Sequence, residues 1–132
     1  MRIVIDTNII VSGLFFGGLP RKILDMIVDY EIEAFASPEI IDEYERVIVH
    51  FLSRNNGVND SGILLSILNR LLIIDPVSNV DVCRDIDDNK FINCAIDADA
   101  LYLVSGDNDL LVLKKYRNVQ IITAKEFIEL MQ

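Results

Sequence analysis

Arg2-Ile-Val-Ile-Asp-Thr-Asn8 is the stretch that decides the fold, because a short apolar run ends abruptly at polar residues. An uninterrupted apolar, β-branched run of this length indicates a strand buried on both faces, as in a parallel sheet. Similar runs follow at 32–36, 72–74, 101–105 and 119–122. Segments with helical spacing of apolar residues separate them, so strands and helices are predicted to alternate along the chain.

Predicted helix starts lie between these runs. They are Pro20, Ser37-Pro38, the residues after the turn-rich break at 55–60, Asp87 or Asp88, and the capping box of Thr123 and Glu126. The segment 15–18, in the predicted loop after the first strand, fits a lid, a dimer contact or simple packing. The fold class predicted is α/β, a three-layer α/β/α sandwich with a mostly parallel central sheet.

Length and composition predict one domain spanning residues 1–132. The chain is 52% hydrophobic, enough for a full core. Its longest uncharged apolar run, 9–19, is shorter than the roughly 20 residues of a membrane span. Cys83 and Cys94 do not form a Cys-x-x-Cys pair, so we expect two reduced thiols in a cytoplasmic protein.

The charge balance is acidic, with 12 Lys and Arg against 21 Asp and Glu and a net charge of −9. This excludes a protein that holds nucleic acid by a basic face alone. It does not exclude one that works on nucleic acid through bound cations, because metal ions invert the local sign of an acidic pocket.

Two acids follow strands that are predicted to end at the same edge of the sheet. Asp6 follows Ile5 directly, and Asp107 follows Ser105 through one glycine. Sites in parallel α/β sheets form at this edge, where crossovers leave a crevice. Each acid alone is also explained as a turn or cap residue.

Two further acids lie beside buried helix faces. Glu43 is three residues after Ile40, and Asp88 is three before Phe91. Capping is a competing explanation for Asp88. Four carboxylates brought together would repel, and hard divalent cations with oxygen ligands, Mg²⁺ or Mn²⁺, resolve this. The sequence has one histidine, no His/Cys cluster typical of zinc and no Ser-His-Asp pattern.

The motifs around these acids resemble those of the PIN-domain family. They are Asp6-Thr-Asn8, the segment 39–46 that contains Glu43, Arg84-Asp-Ile-Asp-Asp-Asn-Lys-Phe91, and Ser105-Gly-Asp-Asn-Asp-Leu-Leu111. Their order and spacing extend over nearly the whole chain. The family usually has a proline where Ile86 stands. The branch most similar to the chain comprises toxin components of prokaryotic toxin–antitoxin systems.

The resemblance implies a Mg²⁺- or Mn²⁺-dependent ribonuclease. Carried over by motif, the catalytic and metal-binding acids are Asp6, Glu43, Asp88 and Asp107. Asn8 and Ser105 would orient carboxylates and waters around them, Thr7 would help to hold that turn, and Asp109 would be an extra ligand or an outer partner. Among Asp85, Asp87 and Asp88 the assignment is open, with Asp88 preferred. The implied partners are RNA, an antitoxin protein and a second copy of the chain, and no membrane.

Basic residues near the acids are candidates for binding substrate phosphates. Arg46 and Lys90 are the candidates closest in sequence, and each could instead pair with a nearby acid. Two rival functions stay open. One is a phosphotransfer or phosphatase domain with Asp6 as nucleophile, and the other is an inactive PIN-like module that binds a partner.

Overall fold

A computed structural model of the chain describes residues 1–54 and 61–132; the predicted break at 55–60 lies outside these ranges. The strands are β1 (Arg2–Ile5), β2 (Glu33–Ala36), β3 (Leu72–Ile73), β4 (Tyr102–Val104), β5 (Lys115–Tyr116) and β6 (Val119–Ile122). The helices are α1 (Thr7–Phe15), α2 (Gly18–Val28), α3 (Pro38–Arg54), α4 (Ser61–Arg70), α5 (Asn89–Asp97), α6 (Asn108–Leu111) and α7 (Ala124–Met131). A 3-10 helix, Ile86–Asp88, precedes α5.

The central sheet has the strand order β3-β2-β1-β4-β6-β5. Every pairing is parallel except that of β5 with β6, so the predicted mostly parallel sheet is confirmed. Helix α5 packs across β1, β2, β4 and β6, while α2 packs against α1, α4 and α7. From β1 the chain builds the sheet first towards β2 and β3 and later towards β4, so the crevice of this sheet lies at the ends of β1 and β4.

The first helix corrects the prediction of a loop after β1. Helix α1 begins at Thr7, directly after Asp6, and ends at Phe15. Its β-branched residues and glycine give it a low intrinsic helix propensity. The helix is therefore stabilised mainly by the burial of its side chains against the core. Gly13 permits the close approach of α1 to α2, because a Cβ there would lie 2.5 Å from the side chain of Leu24.

The helix starts agree with the predicted caps at two places and differ at one. The Ser37 hydroxyl accepts from Ile40 N at 3.2 Å, and Thr123 and Glu126 form the predicted capping box. Asp88 makes no capping hydrogen bond. Asp85 caps the preceding 3-10 turn instead, by accepting from Asp87 N, which removes capping as the explanation for Asp88.

An extended segment, 76–85, is fastened to α5 by side chains spaced one helical turn apart. Asn89 Oδ1 accepts from the backbone of Val82 and Cys83, Asn93 accepts from Val80, and Asp97 accepts from Val77 and Ser78. These hydrogen bonds satisfy the N–H groups of those five residues, which lie outside the strands of the sheet. They also fix the position of the acids that follow in the 3-10 turn.

The last third of the chain has elements that the sequence did not predict. The basic stretch 114–117 contains β5, an antiparallel edge strand that closes the sheet beside β6. Asp107 caps α6, a single short helix. No helix in the described ranges is long and apolar enough to cross a membrane. Cys83 and Cys94 are both free and buried, in agreement with reduced thiols.

Candidate metal centre

Asp6 is buried at the end of β1 and bound to the neighbouring strand end. Its backbone N–H donates to Val104 O at 2.9 Å, which extends the pairing of β1 with β4. Its Oδ2 accepts a 2.7 Å hydrogen bond from the hydroxyl of Ser105. Asp6 is 4% exposed, and this burial raises the pKa of its carboxyl, against the lowering effect of the Ser105 hydrogen bond.

Ser105 connects Asp6 to the second acid at this edge. Its Oγ accepts from Asp107 N at 2.9 Å while it donates to Asp6. Asp107 in turn accepts from Asp109 N at 2.9 Å through Oδ1, which caps α6. Ser105 thus contacts Asp6 directly, and Asp107 is held by the backbone of the turn.

Asp88 brings a third carboxylate from the start of α5. The group is 8% exposed, and no donor reaches its Oδ2 from any residue that the structure describes. Burial, followed by contact with the Asp107 side chain and by the charges of Asp107, Asp6 and Asp85, raises the pKa of Asp88 to about 7. Two carboxylates in contact are both acceptors when ionised, so the pair requires a proton or a cation.

Glu43 reaches the site from α3, and both of its oxygens are engaged. Oε2 accepts from the hydroxyl of Thr7, at the first turn of α1. Oε1 pairs with Lys90 Nζ at 2.8 Å. Lys90 is only 8% exposed in its side chain and also donates to Asp87 O at 2.8 Å, so it faces Glu43 and not open solvent.

The most closely packed acids overlap only partly with the set predicted from sequence. In the described ranges, one group of three acids offers oxygens that all lie within 4.8 Å of one another, and it consists of Asp85, Asp88 and Asp109. Asp107 and Asp6 act electrostatically on Asp88 in this group, and Glu43 acts on Asp6. Asp85 was one of the three acids left open as the metal ligand in the sequence analysis. Its position in the same turn was the only feature of the sequence that indicated it.

The electrostatic field over this edge of the sheet is negative. Burial, followed by the charges of Asp88, Asp85, Asp107 and Asp81, raises the pKa of the Cys83 thiol to about 11. Tyr44 is fully buried beneath the site and donates its hydroxyl to Ile5 O, the residue before Asp6. Burial and the negative charge of its surroundings hold the pKa of Tyr44 well above its usual value.

These residues fit a hard divalent cation. The donors are carboxylate oxygens, and one of them, Asp88 Oδ2, is buried without a partner among the described residues. A cation between Asp88 and Asp107 removes their repulsion and satisfies that oxygen at once. The oxygen donors favour Mg²⁺ or Mn²⁺ over zinc, which binds His and Cys far more often.

The remaining predicted residues lie at the margin of the site. Asn8 is exposed on α1, and Arg46 is exposed on α3, one turn after Glu43. Arg84 was not singled out in the sequence, yet its guanidinium lies 3.0 Å from Asp109 Oδ1 and is largely exposed. Its place beside Asp85 was the only available signal.

The chain is similar to known proteins in sequence and in fold. The model of the PIN domain matches residues 2–109. An uncharacterized protein of Methanocaldococcus jannaschii is 38% identical, over 98% of this chain and 90% of that protein. A chain of the crystal structure of VapBC2 from Rickettsia felis bound to a DNA fragment from their promoter superposes with a TM-score of 0.57 at 17% identity. That superposition covers 93% of this chain and 98% of the other and supports the fold.

PIN domains are generally nucleases and typically bind a divalent metal ion. The family match includes every acid of the site, from Asp6 after β1 to Asp109 in α6. The chain belongs to the PIN-domain family.

Proposed function

We propose that the chain is a divalent-metal-dependent ribonuclease that hydrolyses RNA phosphodiester bonds at the acidic edge of the sheet. The proposal is supported by Asp88, a buried carboxylate that contacts Asp107 and has one oxygen without a partner among the described residues. Asp6, Asp88 and Asp107 are the proposed metal ligands. Glu43 belongs to the same acidic site from α3, and Asp85 and Asp109 flank it. A bound Mg²⁺ or Mn²⁺ ion supplies an activated water and charge stabilisation at the phosphate.

The residues of the chain itself prepare this chemistry. Ser105 keeps Asp6 in one orientation, and Thr7 does the same for Glu43. Burial of Asp6 and Asp88 keeps bulk water away from their carboxyls, which strengthens their attraction to a cation. We propose that exposed Arg46 and Arg84 contact RNA phosphates, because Arg46 lies one turn after Glu43 and Arg84 lies beside Asp109.

The rival reading of Asp6 as a phosphoryl-accepting nucleophile is less well supported. Asp6 is 4% exposed, and one of its oxygens is already bound to Ser105. A nucleophile must approach phosphorus directly, whereas a metal ligand can act from a buried position. The second rival, an inactive binding module, has no need for four acids at one sheet edge.

The test compares two substitutions that each remove one negative charge. Asp6→Asn should lower Mn²⁺-dependent cleavage of single-stranded RNA by more than the roughly 100-fold seen for outer partners of metal ligands. Asp42→Asn, an exposed acid next to Glu43, should leave cleavage unchanged. Activity that persists in EDTA or in Asp6→Asn contradicts the proposal, and a parallel assay with single-stranded DNA shows whether the sugar matters.

The proposal extends to a toxin of a toxin–antitoxin pair that acts in the cytoplasm. Its support is the family membership and the fold shared with VapBC2 from Rickettsia felis. Expression of the wild-type chain in a bacterial host should arrest growth, and Asp6→Asn should not. An antitoxin partner should relieve the arrest. Normal growth despite measured ribonuclease activity would remove the toxin assignment and leave the nuclease assignment intact.

A further inference from the structure

Lys90 is an internal cation in the wall of the acidic site. Its Nζ lies 2.8 Å from Glu43 Oε1 and 2.8 Å from Asp87 O, and its side chain is 8% exposed. Lys90 is the second residue of α5, and its two partners fix the position of its ammonium group. It therefore places a positive charge beside Glu43.

Each oxygen of Glu43 already has a partner within the chain, so a further cation would have to share or displace one of them. Lys90 takes Oε1, and the Thr7 hydroxyl donates to Oε2. Removal of Lys90 from Glu43 would leave an ammonium and a carboxylate, both mostly buried, without their main partners. A divalent ion that bound Glu43 directly would have to overcome that loss.

The need for a cation lies at the aspartates and not at Glu43. Asp88 Oδ2 has no partner among the described residues, and Asp107 presses on the same carboxyl. The close group of acids found within the described ranges contains Asp85, Asp88 and Asp109 and does not contain Glu43. Unbalanced charge is thus concentrated at the aspartates, while Glu43 is neutralised by the chain itself.

We infer that Lys90 takes the place of a second divalent cation at Glu43, so that the site binds a single metal ion on its aspartate side. This rests on the proposed metal-dependent function and goes beyond it, because it assigns the number of ions and the residue that sets it. Lys90 is then a positioning residue that keeps Glu43 paired and fixed, and it does not itself meet substrate.

The test is the number of Mn²⁺ ions bound per chain, measured by electron paramagnetic resonance and by calorimetry. Wild type should bind one ion. Lys90→Met should gain a second, because Glu43 Oε1 becomes free and uncompensated. Lys90→Arg should stay at one ion, since the guanidinium keeps the positive charge beside Glu43. Lys125→Met, an exposed lysine on α7, makes the same change in net charge and should also stay at one.

The outcomes separate this inference from the proposed function. Two ions in wild type, or one ion in a folded Lys90→Met variant, would overturn the role of Lys90 while leaving a metal-dependent nuclease. No Mn²⁺ bound to wild type would overturn both. If Lys90→Met does not fold, a wild-type crystal soaked in Mn²⁺ decides, because the inference requires Lys90 Nζ to stay beside Glu43 with no ion on that carboxylate.

Discussion

The hydroxyl of Ser105 donates a 2.7 Å hydrogen bond to Oδ2 of Asp6, so side chains as well as backbone join the ends of β4 and β1. The hydroxyl oxygen of Ser105 also accepts a hydrogen bond from Asp107 N at 2.9 Å. One buried serine thereby sets the relative position of two acids that are about a hundred residues apart in sequence. The arrangement of the site depends on this small group.

Ser105→Ala tests that dependence. The substitution leaves a buried oxygen of Asp6 without its donor, which should destabilise the fold by about 1–3 kcal/mol. It should also weaken Mn²⁺ binding by roughly 10- to 100-fold, as expected for partners of metal ligands. Urea unfolding and Mn²⁺ calorimetry measure the two effects. Ser53→Ala, which removes an exposed hydrogen bond to His50 O, is the control, and equal Mn²⁺ affinity in both variants contradicts the role of Ser105.

The stability of the metal-free protein should fall as pH rises. The pKa of Asp88 is raised from 3.8 to about 7 in the folded state, mainly by burial. Between these values the folded state binds more protons than the unfolded state, so the free energy of unfolding decreases with increasing pH. The stabilising proton is fully present below pH 3.8 and is lost as pH passes about 7.

Urea unfolding in EDTA at about pH 5 and about pH 8 measures this dependence. Asp88→Asn should flatten it and should stabilise the metal-free protein at the higher pH, because the carboxylate repulsion with Asp107 is gone. Saturating Mn²⁺ should also remove the decrease in the free energy of unfolding of the wild type at higher pH, because the ion binds the ionised carboxylate of the folded state. A stability that rises through this range in the metal-free wild type would contradict the assignment.

The sheet and most helix starts were predictable because their signals are local. Buried parallel strands are uninterrupted apolar runs, and the Ser37 and Thr123 caps need only neighbouring residues. Helix α1 was not predictable, since its weak propensity is overcome by packing against α2 through Gly13. Strand β5 has only two residues and a partner that follows in sequence, so it leaves no periodic pattern.

The site was predictable as a set of acids and not as a geometry. The ends of β1 and β4 follow from topology, which places Asp6 and Asp107 at one edge. The shape of the 3-10 turn determines which acid approaches Asp88. Sequence spacing alone does not distinguish Asp85 from Asp87 in this respect. The pairing of Lys90 with Glu43 joins α5 to α3 across the fold, and it is visible only in three dimensions.

Asp85→Asn and Asp87→Asn separate the two acids of that turn. Asparagine at 85 keeps an oxygen to accept from Asp87 N, so the turn is retained while one charge beside Asp88 is lost. This variant should bind Mn²⁺ several-fold more weakly, in the lower part of the roughly 10- to 100-fold range for neighbours of metal ligands. Asp87→Asn makes the same charge change outside the close group and should bind normally. Equal effects in the two variants would mean that only net charge matters.

Thr7→Val tests the second anchor of Glu43. The isosteric change removes the hydroxyl that donates to Oε2 and should cost about 1 kcal/mol of stability. RNA cleavage should fall about 10-fold, because Glu43 is then held by Lys90 alone. Thr123→Val destabilises α7 by a similar amount through its lost cap and should cleave RNA normally. A parallel loss of activity in both would reduce the role of Thr7 to stability.

The most direct test of the central claim is a crystal of the wild-type protein soaked in Mn²⁺ and measured for anomalous scattering. A single metal ion at the aspartates should give one anomalous peak bounded by Asp6, Asp88 and Asp107, with Asp88 Oδ2 among its ligands. No peak at this edge of the sheet, or one held by Asp85 and Asp109 away from Asp6, would contradict it.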